Sequence, residues 1–151
     1  MMSRMSTLAG SLGFVALVTS GLGTPAATAQ ATPQAAATAR VKIVEPKQGA
    51  TVTGTSVHVV LTAEGVEIAP AAEHRAGTAH HHLFLDTDLT APDAAIPVGT
   101  PGIVHLGKGQ SEYTFEGVAP GPHRLIALLA DPSHVPLKPL AVDTVRFTVK
   151  P

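Results

Sequence analysis

Residues 111–130 read Ser-Glu-Tyr-Thr-Phe-Glu-Gly-Val-Ala-Pro-Gly-Pro-His-Arg-Leu-Ile-Ala-Leu-Leu-Ala, and their pattern decides the fold. In Ser111–Glu116, Tyr113 and Phe115 fall on one face of an extended chain, and Glu112, Thr114 and Glu116 on the other. That period of two belongs to a strand with one buried side. Pro120-Gly121-Pro122 then fits a hairpin or a corner. His123–Ala130 is apolar on both faces, as a buried central strand is. Working outward, Thr144–Lys150 places Val145, Phe147 and Val149 opposite Arg146 and Thr148, and Ser56–Ala63 alternates in the same way. Val41–Val44, Thr51–Gly54, His80–Asp86 and Ile103–Leu106 are further extended candidates. Gly and Pro turns separate these runs, and no stripe of period 3.6 occurs. The pattern predicts an all-β, immunoglobulin-like β-sandwich of about seven strands.

The first residues read differently. Arg4 precedes an apolar stretch from Leu8 to Leu22, and Ala27-Thr28-Ala29 supplies a small-x-small cleavage site before Gln30. Residues 1–29 are therefore expected to be a secretory signal peptide. The stretch falls short of the roughly 18–20 residues a spanning helix needs, and Gly and Ser interrupt it. No second apolar stretch of that length follows, so no membrane span is expected after cleavage, and the protein is expected to be periplasmic or secreted. Residues 30–39 contain only Ala, Thr, Gln and Pro and read as a flexible spacer. The folded domain is expected over residues 40–151.

Composition excludes several chemistries. The 151 residues carry a formal charge of −1, too balanced for a nucleic-acid footprint. There is no Cys, which removes disulfides, thiolate metal sites and a cysteine nucleophile. The three methionines stand at positions 1, 2 and 5, so cleavage would leave none. All eight histidines lie beyond the cleavage site, against only ten Lys and Arg in the whole chain. Imidazole and carboxylate are then the strong metal ligands left to the domain.

His80-His81-His82 is the sharpest local feature. On a strand, His80 and His82 share a face, with backbones about 6.6 Å apart, while His81 points the other way with Leu83 and Leu85. Two such imidazoles converge readily on one ion, but they make only half a site. Gathering of loops at one end of the sandwich would bring His105, at the end of a short strand, and His134, in Asp131-Pro132-Ser133-His134, to the same place. His80, His82, His105 and His134 are thus the candidate metal ligands. All-imidazole chemistry suits Cu(II), Zn(II) or Ni(II), with copper favoured by intrinsic affinity, so copper or zinc is the expected cofactor. His123, after Pro-Gly-Pro, reads as structural, and His58 and His74 as surface residues.

Plainer readings stand beside this one. Three consecutive histidines also suit a solvated edge, His81 a hydrogen-bonded core position, and imidazoles a pH-responsive surface. A domain of this size buries enough area to fold without metal.

The blocks Gly77-Thr78-Ala79-His80-His81-His82-Leu83, His105-Leu106-Gly107-Lys108-Gly109-Gln110, Pro120-Gly121-Pro122-His123 and Asp131-Pro132-Ser133-His134-Val135-Pro136 occur in that order. Together they resemble the signature of a bacterial exported family of unknown function, domain-of-unknown-function family 4399. The resemblance covers about residues 41–150. It implies an exported β-sandwich of unassigned activity and brings no catalytic residues with it. Two departures are Ala79, where the pattern has glycine, and Leu137, where relatives often carry another His.

No nucleophile elbow, Walker-type phosphate loop or His-Glu-x-x-His helix is present, and Gly107-Lys108-Gly109 alone reads as a turn. The expectation is a non-enzymatic metal-binding protein. The alternative is a metal-free structural or interaction module of the cell envelope. A copper redox enzyme on the same four histidines ranks third.

Overall fold

The computed structural model describes residues 38–151, so the expected signal peptide and most of the spacer lie outside the described residues. Among the described residues, nine strands form two sheets. They are β1 (Arg40–Glu45), β2 (Thr51–Thr53), β3 (Val57–Glu64), β4 (Glu67–Ile68), β5 (Thr78–Leu85), β6 (Ile103–Leu106), β7 (Glu112–Phe115), β8 (Gly121–Ala130) and β9 (Val142–Lys150). The smaller sheet has the order β1-β3-β7. The larger runs β2-β9-β8-β5-β4, with β6 joined to the same edge of β5 as β4. This is an immunoglobulin-like β-sandwich. The sequence pattern finds every strand except the two-residue β4, which too short a run marks.

The stretch that decides the fold is a corner. β7 pairs with β3 in the small sheet, whereas β8 pairs with β5 and β9 in the large one. Residues 116–120 therefore carry the chain from one sheet to the other, and Gly121 and Pro122 already pair with β9. The core between the sheets contains Ile43, Val57, Val59 and Leu61 from one side and Leu83, Leu125, Leu129, Val145 and Phe147 from the other, all buried. Full burial of each such side chain contributes about 1.5–3 kcal/mol, the main term against chain entropy.

The outer face of the large sheet is covered too. Phe84, Ile126, Leu128 and Ala130 face away from the main core and form a second apolar cluster with Ile96, Leu89 and Ile103. The connection between β5 and β6 brings Ile96 over this face, and the Ile96 amide donates to the His134 carbonyl at 2.9 Å. β5 is thus buried on both sides, which places its three histidines out of water.

Candidate metal centre

β5 alternates as its period of two requires. His81 lies on the side of Ala79 and Leu83, which belong to the main core. It is fully buried. Its Nδ1 lies 3.2 Å from the Gln110 carbonyl, to which it donates, while its Nε2 has no partner. His80 and His82 lie on the outer face beside Phe84, also with no exposed surface. Their Nε2 atoms are 3.0 Å apart, a contact that requires one ring to donate and the other to accept.

His105 reaches them by strand register. It is the antiparallel partner of His82 on β6, and the two rings stack with centroids 5.0 Å apart and planes 27° apart. The expectation that gathered end loops would deliver it is corrected here: a cross-strand pair, formed directly on the sheet face, delivers it. Gly107 completes the arrangement. A Cβ built there would stand 2.2 Å from His105 Cε1 and 2.5 Å from Nε2, so this position accepts no side chain while the imidazole stays where it is.

His134 comes from the loop between β8 and β9. Asp131 Oδ1 accepts from the Ser133 amide at 2.8 Å and the Val135 amide at 3.0 Å. The backbone turns through a left-handed conformation at His134, with φ 67°. This side-chain-braced turn sets the His134 ring 4.5 Å from His105 and 5.1 Å from His80, centroid to centroid. All four sequence-predicted residues thus come together. Nitrogens of His80, His82 and His105 lie within 4.8 Å of one another. His134 stands beside that set with its ring tilted across it.

The electrostatics favour neutral rings. Burial first, then the neighbouring His105 and His134, push His80 down to about 4, with Asp131 opposing. Burial, followed by His80, His105 and His134, pushes His82 down to about 3. His105 is lowered by burial and by His134. An imidazole must be unprotonated to ligate, so at neutral pH these rings offer lone pairs without proton competition. His80 Nδ1, His82 Nδ1 and His105 Nε2 are buried without hydrogen-bond partners. Metal-ligating histidines usually donate their outer N–H to an acceptor, and His80 and His82 have none.

The other histidines separate from the cluster as the sequence suggests. His123 Nδ1 donates to Asp86 Oδ2 and its Nε2 to the Ala119 carbonyl, both at 2.7 Å. Burial acts against charge on His123, but these two acceptors outweigh it and raise its pKa. Asp86, which the pattern puts on the His80/His82 face, turns away at φ 54° just beyond β5 and serves His123 and the Arg124 amide instead. His58 is half exposed near Thr114 and Glu112, and His74 is exposed. Gly107 and Asp131 are the contributors the sequence reading misses. Their only signal is proximity to a histidine beside a turn.

Fold and cluster together define a β-sandwich domain with four histidines gathered on the outer face of its larger sheet. Residues 59–150 match the model of the domain of unknown function DUF4399, and the chain belongs to that family. No curated protein matches it. Among solved structures, it is similar to an engineered protein at 13% identity and a TM-score of 0.47, over 78% of this chain and 21% of that one. It is also similar to fibronectin(III)-like modules of Clostridium thermocellum CbhA, at 16% identity and a TM-score of 0.45, over 73% and 95% of the two chains. The PKD domain from human KIAA0319 matches at 15% identity and a TM-score of 0.41, over 75% and 81%.

Proposed function

We propose that this chain is an exported protein that binds one divalent transition-metal ion, Cu(II) or Zn(II), through His80, His82 and His105, with His134 as a fourth ligand. The observation that carries this reading is the convergence of one nitrogen from each of His80, His82 and His105 within 4.8 Å of one another, with His80 and His82 fully buried. Three sheet-borne imidazoles resemble the protein part of many zinc and copper sites. Export rests on the leader-like residues 1–29, and the lack of a catalytic motif favours binding over catalysis.

Calorimetry with Zn(II) and Cu(II) tests the reading. The wild-type protein takes up one equivalent, and the double variant His80→Ala/His82→Ala takes up none. Equal uptake by both proteins overturns the assignment.

One observation favours the metal-free module instead. The His80–His82 hydrogen bond already satisfies one nitrogen on each ring. On that reading the histidines are framework, and saturating Zn(II) leaves the thermal midpoint unchanged.

A further inference from the structure

The arrangement of the four rings selects among metals, an inference that rests on the metal-binding reading above. The six centroid separations are 4.9 Å for His80–His82, 4.8 Å for His80–His105, 5.1 Å for His80–His134, 5.0 Å for His82–His105, 5.7 Å for His82–His134 and 4.5 Å for His105–His134. An imidazole bound through one nitrogen at about 2.1 Å holds its centroid about 3.2 Å from the ion. Four tetrahedral ligands then separate every pair of centroids by about 5.2 Å. A square plane gives about 4.5 Å for adjacent pairs and about 6.4 Å for the two opposite pairs.

No observed separation reaches the opposite-pair value. However the four rings are divided into two opposite pairs, one pair is always 5.0 Å apart or closer. The rings stand at the corners of a slightly distorted tetrahedron. The scaffold keeps them there. His80 and His82 lie on β5 and His105 on β6, locked by backbone register, and His134 comes from a different segment, the braced turn after β8. Ala130 and Leu128 are the register partners of His80 and His82 on β8, and both are buried. Flattening the four rings into a plane would require a strand to slip or this packing to open.

The His134 ring centre stands at the fourth corner, while its nitrogens lie outside the set that His80, His82 and His105 form. The Cβ–Cγ axis of a histidine passes close to its ring centre, so rotation about that bond redirects a nitrogen while leaving the centroid in place. The 3.0 Å separation of the His80 and His82 nitrogens widens by only about 0.4 Å to become a tetrahedral edge.

We infer that the cluster is a four-imidazole centre that imposes tetrahedral geometry, and that its ion is of the zinc(II) class. Intrinsic affinity places copper(II) above zinc(II) for nitrogen ligands, but copper(II) prefers a tetragonal arrangement that this scaffold opposes. His134 closes the coordination sphere, and its loss leaves a three-histidine site with one open position.

Cobalt(II), a spectroscopic stand-in for zinc, tests this on the purified protein. One equivalent of cobalt(II) is expected to give the intense visible bands of tetrahedral cobalt, and one equivalent of zinc(II) to abolish them. In His134→Ala, zinc affinity falls at least tenfold, and added azide shifts the cobalt bands, as it does not in the wild-type protein. His134→Gln provides a second variant for the same comparison. Weak octahedral cobalt bands, or bound copper(II) with an undistorted tetragonal paramagnetic-resonance signature, would overturn the tetrahedral centre while leaving metal binding intact. No uptake of cobalt, zinc or copper would overturn metal binding itself.

Discussion

His105 stands directly across from His82 on paired antiparallel strands, and its ring lies where any side chain at Gly107 would collide with it. One backbone register and one missing Cβ therefore fix the third imidazole of the cluster. Gly107 is not at a positive φ, so the backbone itself tolerates alanine there. Gly107→Ala is expected to displace the His105 ring and weaken zinc binding by roughly ten- to a hundredfold, the range seen when support for a ligand is lost. The metal-free thermal midpoint should change little, because the displaced group is one side chain. Calorimetric zinc titration beside a melting curve checks both, and unchanged affinity refutes the dependence on Gly107.

Asp131 acts on the cluster through the backbone. Its carboxylate accepts from two amides and so holds the turn that presents His134. In Asp131→Ala the loop loses both hydrogen bonds, each worth about 0.5–1.5 kcal/mol. The expected outcome is weaker zinc binding that combination with His134→Ala does not weaken further. A double-mutant cycle on the zinc dissociation constant measures it, and full additivity of the two changes rules the coupling out.

How much of this was legible in sequence follows from the range of each interaction. The pairing of His80 with His82 on one face depends only on strand periodicity, so two adjacent positions reveal it. That His105 faces His82 depends on the register between β5 and β6, which pairing such as Leu83 with Val104 sets across a long connection. Sequence spacing carries no such register, so the expectation of gathered loops places His105 near His80 and His82 without the strand pairing that brings it there. The same limit applies to the corner leading into Pro120-Gly121-Pro122. Turn chemistry identifies the bend, but only the pairing of β7 with β3 shows that the bend crosses between sheets. The two buried faces of β8 are readable because both carry apolar residues, yet the cover over the outer face depends on Ile96, which no local pattern marks.

Asp86 and His123 give a site where charge matters and metal does not. Asp86 binds the His123 ring and the Arg124 amide from a left-handed backbone position that Asn also tolerates. Asp86→Asn should therefore retain the turn while losing the ion pair. Because Asp86 is nearly half exposed, the expected loss is only about 0.5–1 kcal/mol. His123 has a raised pKa, so its charge-linked stabilisation is present at low pH and fades as pH rises through that value. The variant should differ more from wild type at pH 5.5 than at pH 9 in urea unfolding, and a difference that grows with pH contradicts the ion pair.

The cluster itself imposes the opposite pH dependence on the metal-free fold. His80 and His82 are held at about 4 and about 3, against an ordinary 6.5, chiefly by burial. Between those values and 6.5 the unfolded chain binds more protons than the folded one, so stability rises with pH. Their contribution is complete above about pH 6.5 and is lost as pH falls toward 4 and below. One imidazole moved from 6.5 to about 4 corresponds to on the order of 3 kcal/mol. Because the two rings share one cluster, the total expected loss is of that order rather than twice it. Urea unfolding of the metal-free protein at pH 7, 5.5 and 4 should show falling midpoints, whereas His80→Phe/His82→Phe should flatten the profile over the same range. A wild-type midpoint that holds steady from pH 7 to 4 would show that these rings protonate in place, and hence that the outer face of the sheet admits water to them.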